Sequence, residues 1–165
     1  MTTLLTQQWN SPLGPMILAA SDLGLCGVWF EGQRHGPSVE RLRGWTSVTV
    51  HPLLQDACAQ LQAYFAGDLN RFDLPLDFGT GFAEQVRRAM SAIPYGETRH
   101  YGDLAREIGA PAQAIGQACG ANPLPILIPC HRVLAAKGLG GFSAKGGVES
   151  KVFLLRLEGA ASLLI

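Results

Sequence analysis

Tyr101-Gly102-Asp103-Leu104-Ala105-Arg106-Glu107-Ile108, then Gly109-Ala110-Pro111, then Ala112-Gln113-Ala114-Ile115-Gly116-Gln117-Ala118-Cys119-Gly120 is the stretch that settles the architecture of the second half of this chain. Its first segment places Leu104, Ala105 and Ile108 on one face of a short helix. Gly109 and Pro111 close that helix, and a second one built of small residues follows. Helix, Gly-containing turn and helix is the outline of a helix-turn-helix, whose second helix can enter a nucleic-acid groove. An ordinary helical hairpin shares the outline. Here the second helix adds a cue, because Ala112, Ala114, Gly116, Ala118 and Gly120 let another backbone approach closely. Gln113 is the one long polar side chain near its start.

Immediately downstream, Ile128-Pro129-Cys130-His131-Arg132-Val133 sets one thiol beside an imidazole and a guanidinium, between apolar residues that would bury them. A thiolate is a strong nucleophile, and a neighbouring His or Arg is expected to lower its pKa so that more is present at neutral pH. Covalent attack by Cys130 is one reading. A buried structural Cys beside a salt-bridged Arg is the other.

Upstream, Phe82 to Ile93 has a helical period through Phe82, Val86, Ala89, Met90 and Ile93, and Pro94-Tyr95-Gly96-Glu97 stops it. Phe72 to Gly79 has no helical period, contains Pro75, and reads as an extended connector, so the domain boundary falls near Thr80. Before it, Pro15–Ala20 and Leu25–Phe30 are apolar runs separated by Ser21-Asp22-Leu23-Gly24, two strands and a turn. Thr46–Val50 alternates like a third strand, and Pro52–Ala66 reads as a helix through Leu54, Ala57, Cys58, Leu61, Tyr64 and Phe65. The expected fold is an α/β N-terminal domain of small antiparallel sheet plus helix over residues 1–79, followed by a mainly α domain with a helix-turn-helix over 80–165.

At 165 residues, 47% hydrophobic and 16% charged, the chain can fill a core of ordinary size. It has no apolar run long enough to span a bilayer and no secretory leader, so a soluble, cytoplasmic protein is expected. Cys26, Cys58, Cys119 and Cys130 form no CxxC pair, which points to reduced thiols. Cys26, His35, His51 and Cys58 offer zinc-type atoms, but their gaps lack the close-spaced pair of a structural site, and no metal is expected. The net charge of zero hides an asymmetry: four cations face seven anions up to Thr80, and nine face six from Gly81 onward. That excess permits contact with an anionic partner on the C-terminal side.

Tyr101-Gly102-Asp103-Leu104-Ala105, Ala114-Ile115-Gly116, Asn122-Pro123, Pro125 to Val133, Gly141-Phe142-Ser143, Lys151 and Leu154-Leu155 to Glu158-Gly159 together resemble the O6-alkylguanine-DNA alkyltransferases, the methylated-DNA-protein-cysteine methyltransferases. Ser11-Pro12-Leu13-Gly14 leading into a strand pair is similar to that family's N-terminal domain. The resemblance implies direct-reversal repair of double-stranded DNA, with a single-turnover transfer of an alkyl group from O6 of guanine, or from O4 of thymine, to Cys130. It implies no cofactor, a monomer, and a target base rotated out of the duplex by a helix in the minor groove. By motif, His131 and Glu158 form a relay with Cys130 through water, and Asn122 supports the turn before it. Tyr101 acts on the extruded nucleotide. Gln113, Ala114 and Gly116 lie on the recognition helix, the backbone around Val133 lines the pocket, Ser143 is a pocket residue near O6, Phe142 gates the pocket, and Arg132 and Lys151 complete the substrate- and DNA-binding set.

Three positions depart from the family pattern. Gln113 stands where an Arg finger is usual, Phe142 where a Tyr is usual, and Arg87 where a Trp is common. Gln113 can fill the space a base leaves, yet it offers no cation and no guanidinium stack. A changed flipping step and alkyl preference are expected, with the transfer chemistry intact. An alkyltransferase-like sensor that binds damaged DNA without reacting is the other reading the resemblance allows, although such proteins replace the nucleophile that Cys130 supplies.

Overall fold

Two tight turns build the first sheet. In the computed structural model, which describes residues 4–30, 46–47, 51–136 and 147–160, β1 (Leu5–Ser11), β2 (Gly14–Ser21) and β3 (Gly24–Phe30) form an antiparallel meander. β4 (Thr46–Ser47) joins parallel to β1, giving the order β3-β2-β1-β4. At the β1–β2 turn, Ser11 Oγ donates to the Gly14 carbonyl at 2.7 Å and accepts from Leu13 N at 3.1 Å. Gly24 is obligatory in the second turn. Its φ is +123°, and a Cβ there would sit 2.6 Å from the Pro75 carbonyl oxygen.

That oxygen is close because Leu25 N donates to it at 2.9 Å, and Asp77 N returns a bond to Leu25 O at 2.8 Å. Part of the segment expected as an extended connector therefore lies along the β3 edge. Helix α1 (Pro52–Phe65) turns Leu54, Ala57, Cys58, Leu61 and Tyr64 into the core beneath the sheet. His51 caps it by accepting from Leu54 N at 3.5 Å, and Gln7 Nε2 lies 3.7 Å from Cys58 Sγ. Of the zinc-type quartet, His35 lies outside the described residues, as do residues 48–50 of the expected third strand. Strand β1 was not anticipated, since Thr6, Gln7, Gln8 and Asn10 disguise a strand whose partners cover it on both edges.

Met1–Asp77 and Phe78–Ile165 are the two units of the chain. In the second, helices α2 (Gly81–Ser91), α3 (Tyr101–Ile108) and α4 (Ala112–Gly120) pack on one another. Val86 and Met90 of α2, Leu104 of α3, and Ile115 and Cys119 of α4 form their buried seam. Phe82, expected inward, is instead exposed, because it stands on the first turn of α2, before the helix meets its neighbours. Gly109 ends α3 at φ +81°, and Pro111 leads into α4. This is the expected helix-turn-helix. Two-residue strands β5 (Arg99–His100) and β6 (Val133–Leu134) pair in parallel, and α5 (Val148–Leu157) closes the unit. No helix among the described residues is long and apolar enough to cross a membrane.

Candidate active site

Cys130 sits at the end of a strained turn held by hydrogen bonds. Pro129 has φ −78° and ψ 68°, the values of an inverse γ-turn, and Cys130 N donates to the Ile128 carbonyl at 2.7 Å. Asn122, which follows α4, holds this turn from the other side. Its Nδ2 donates to that same Ile128 carbonyl at 2.9 Å, and its Oδ1 accepts from Leu124 N at 3.1 Å. Ile128 N in turn donates to the Leu124 carbonyl at 2.8 Å. Between them Ile126 takes φ +74°, a conformation a β-branched residue enters only when its surroundings force it. One turn of 3-10 helix, Cys130–Arg132, then feeds β6.

Four buried side chains, His131, Glu158, Arg132 and Lys151, gather behind the turn that carries the thiol. His131, fully buried, has Nε2 2.7 Å from Glu158 Oε2. Its Nδ1 is also buried and has no hydrogen-bond partner among the described residues. Glu158 caps the C-terminus of α5 and takes a two-point contact from Arg132, with Nε at 2.8 Å and Nη2 at 2.9 Å. Arg132 Nη1 donates to the Ile93 carbonyl at 2.7 Å. Lys151, on α5, is likewise buried and donates from Nζ to the Val133 carbonyl at 2.7 Å. Among the described residues, no cluster of His, Cys, Asp and Glu could hold a metal ion.

These surroundings correct one expectation. Burial pushes the Cys130 thiol up, and the Asn122 hydrogen bond, the Lys151 charge and a backbone hydrogen bond lower it only in part. His131 and Arg132 do not draw the thiol down as their adjacency suggested, because both turn away from it onto Glu158. Burial lowers His131 despite Glu158, which acts the other way, so the imidazole is neutral and able to take a proton. Burial alone would raise Glu158, but hydrogen bonds from His131 and Arg132, with their charges, carry it down to about 2. Lys151 is lowered by burial to about 8, with Cys130 and Cys119 opposing. The result is a protonated thiol, a neutral base and a fixed carboxylate.

Tyr101 opens α3 facing Cys119 and Cys130, and burial followed by those two thiols raises its hydroxyl to about 12. It stays a phenol and can donate. Gln113 is exposed on α4, and Ala114 and Gly116 are half-buried beside it. A Cβ at Gly116 or Gly120 would meet nothing within 4 Å, so this side of the helix is open. Arg132 and Lys151, expected among groups that touch substrate or DNA, point inward and are consumed by Glu158, Ile93 and Val133. Val133 itself is wholly buried. Phe142 and Ser143 lie outside the described residues. Sequence reasoning missed Tyr95, whose ring lies 5.8 Å from Arg132 Cζ, and Cys119. The run Pro94-Tyr95-Gly96-Glu97 reads in sequence only as a helix stop, and Cys119 only as one of four reduced cysteines.

Residues 81–160 match the family model described as 6-O-methylguanine DNA methyltransferase, DNA binding domain. Residues 4–78 match the model described as 6-O-methylguanine DNA methyltransferase, ribonuclease-like domain. A methylated-DNA–protein-cysteine methyltransferase of Mycolicibacterium paratuberculosis is 46% identical over 90% of this chain and 88% of its own length. One of Methanosarcina acetivorans is 43% identical over 92% and 96%. A crystal structure of Mycobacterium tuberculosis OGT in complex with DNA superposes with a TM-score of 0.81 at 41% identity, covering 95% of this chain and 94% of that one.

Proposed function

The chain belongs to the 6-O-methylguanine DNA methyltransferase family, and from that premise we propose that it repairs double-stranded DNA by direct reversal, moving one alkyl group from O6 of guanine to Cys130 in each molecule's single turnover. O4 of thymine offers the same alkyl–oxygen bond to the same nucleophile. The observation that carries this reading is the buried pair of His131 and Glu158 behind Cys130, with His131 Nε2 committed to the carboxylate and Nδ1 left for a proton.

The chemistry follows from those protonation states. His131 Nδ1 takes the Cys130 proton through a bridging water as Sγ attacks the alkyl carbon, and Glu158 balances the imidazolium that forms. An S–C bond forms and the C–O6 bond breaks. The departing base carries the bonding electrons, and the Tyr101 hydroxyl donates a hydrogen bond to its ring nitrogen N3 as that charge appears. Asn122 holds the nucleophile's turn, and Lys151 eases the developing thiolate. Gln113, Ala114 and Gly116 on the open side of α4 meet the minor groove, with Gln113 occupying the space of the extruded nucleotide. The backbone around Val133, with Phe142 and Ser143, belongs to the base pocket. Arg132 works from behind Glu158 rather than on DNA.

The thioether product resists hydrolysis, so the protein is consumed, and no step needs a metal or organic cofactor. We assign this work to the cytoplasm, where thiols stay reduced, and to a monomer acting on an O6-alkylguanine duplex. The non-reacting sensor is disfavoured by the nucleophile itself. Intact mass after incubation with an O6-methylguanine duplex tests the reading: a permanent gain of one methyl on Cys130, absent in Cys130→Ser, is expected. Repeated turnover, or an unchanged mass while the lesion is bound, would refute it.

A further inference from the structure

Arg132 joins the acceptor turn to a part of the fold that the transfer steps leave unused. Its three donor groups go to Glu158 Oε1 at 2.8 Å, Glu158 Oε2 at 2.9 Å and the Ile93 carbonyl at 2.7 Å. The Tyr95 ring lies against the guanidinium, with 5.8 Å from Cζ to its centroid. The Tyr95 hydroxyl donates to the Leu157 carbonyl at 3.1 Å, one residue before Glu158. Both ends of the Arg132–Glu158 pair are thus fastened to the turn that follows α2.

Resting on the reading of Cys130 as the alkyl acceptor, we propose that Arg132, held by Ile93 and Tyr95, is a positioning residue for transfer: it fixes the Glu158 carboxylate in one orientation and through it limits how readily His131 is protonated. Glu158 Oε2 serves two donors, His131 Nε2 and Arg132 Nη2. A carboxylate already shared with a guanidinium draws a proton onto His131 less strongly than a free one would. The planar fork also leaves Glu158 no other rotamer that keeps both contacts.

The charged and titratable groups around His131 come from each packed element. Glu158 and Lys151 face it from α5 and its C-terminal turn, and Arg132 lies beside it; Glu158 favours its protonation, whereas Arg132 and Lys151 oppose it. Cys130 precedes it, and Tyr101 of α3 and Cys119 of α4 face Cys130 in turn. Tyr95 faces Glu158 and Arg132 from the turn after α2. Burial does most to keep His131 neutral, with the Arg132 and Lys151 charges adding to it, so removing the Arg132 charge takes away one of the two cations that help. His131 would then be blocked as a proton acceptor over a wider acid range.

The test uses the full chain, its Arg132→Gln and Arg132→Lys variants, and a duplex containing O6-methylguanine. Methyl transfer to Cys130 is followed in single turnover by intact mass from about pH 5 to about pH 9, with the His131 ring titrated in parallel by NMR. Arg132→Gln is expected to move both acid midpoints upward by about one pH unit, which is about a ten-fold slower transfer on the acid side beyond any uniform loss. Arg132→Lys keeps a cation but cannot span two carboxylate oxygens and a carbonyl. Its midpoint should stay at the parent's while its plateau rate falls by about ten-fold or more. A merely structural role lowers the plateau of Arg132→Gln and moves neither midpoint, and that outcome overturns the proposal. Arg132→Lys reacting at the parent's rate overturns it equally, and decides the matter should Arg132→Gln not fold. If the parent itself takes up no methyl at any pH, the acceptor reading fails separately, and the His131 titration alone judges Arg132.

Discussion

Replacing Asn122 by Ala separates the turn that presents Cys130 from the residues that react. Asn122 satisfies two buried backbone groups, the Ile128 carbonyl at 2.9 Å and Leu124 N at 3.1 Å. The two losses are unequal. After the substitution Ile128 O still accepts from Cys130 N, so that side costs about 1 kcal/mol, the net worth of an ordinary hydrogen bond. Leu124 N loses its partner, and since Leu124 is fully buried no solvent replaces it; an orphaned buried donor costs about 1–3 kcal/mol. Together Asn122→Ala should lose about 2–4 kcal/mol of stability. The thiol also loses the hydrogen bond that most offsets its burial, so its pKa moves further up. With the turn less constrained, transfer should slow by about 10²-fold. Urea unfolding, with midpoint and slope both recorded, measures the first effect, and single-turnover methyl transfer from an O6-methylguanine duplex measures the second. A stability loss under about 0.5 kcal/mol together with a parental rate would refute the claim that Asn122 holds the turn.

Cys119 gives a prediction on the alkaline side. Burial first, then Cys130, pushes its thiol up from the ordinary 9.0 to about 12, so the folded state keeps a proton that the unfolded chain releases. Its contribution is therefore complete below about pH 9 and fades as pH rises toward about 12. Between about pH 8 and about pH 10 the parent should lose about 1 kcal/mol more stability than Cys119→Ala; parallel curves in denaturant melts would count against it. Gln113 gives another. Gln113→Arg should change the relative transfer rates from O6-methylguanine and O6-benzylguanine duplexes, because a guanidinium adds a cation and a stacking plane at the flipped site. Unchanged rates on both duplexes would show that this position has no say in flipping or selectivity.

Much of the architecture could be read from local pattern. The turn at Ser21–Gly24, the apolar face of α1 and the Gly109–Pro111 break each depend on residues close in sequence, where periodicity and turn chemistry suffice. Strand β1 could not be read that way, because its pairing with β2 and β4 compensates for Thr, Gln and Asn side chains that disfavour an isolated strand. The site divides along the same line. Cys130, His131 and Asn122 stand out in a short motif. Ile93 and Tyr95 join them only when the chain brings the turn after α2 onto Arg132 across 39 and 37 positions of sequence, a distance no window of local reasoning spans.

The protonation state of the thiol was the least legible feature, and it explains the most. Adjacency in sequence placed two cations' worth of help beside Cys130, yet a 3-10 turn directs successive side chains to different sides. His131 and Arg132 both go to Glu158, and Cys130 is left 6% exposed, with Asn122 and Lys151 as the lowering side-chain influences among the described residues. For a multiple-turnover cysteine enzyme a raised thiol pKa would be a handicap. For a protein that can react once, it is protective: a thiolate standing free at neutral pH would be spent on any small electrophile or oxidant that reached it. In the proposed transfer, a buried thiol with a neutral imidazole behind it becomes nucleophilic only while its proton is moving to His131, and that step is worth completing only when an alkyl carbon lies in line with Sγ. The same burial that stabilises the turn therefore reserves the Cys130 sulfur for the base on which it is proposed to act.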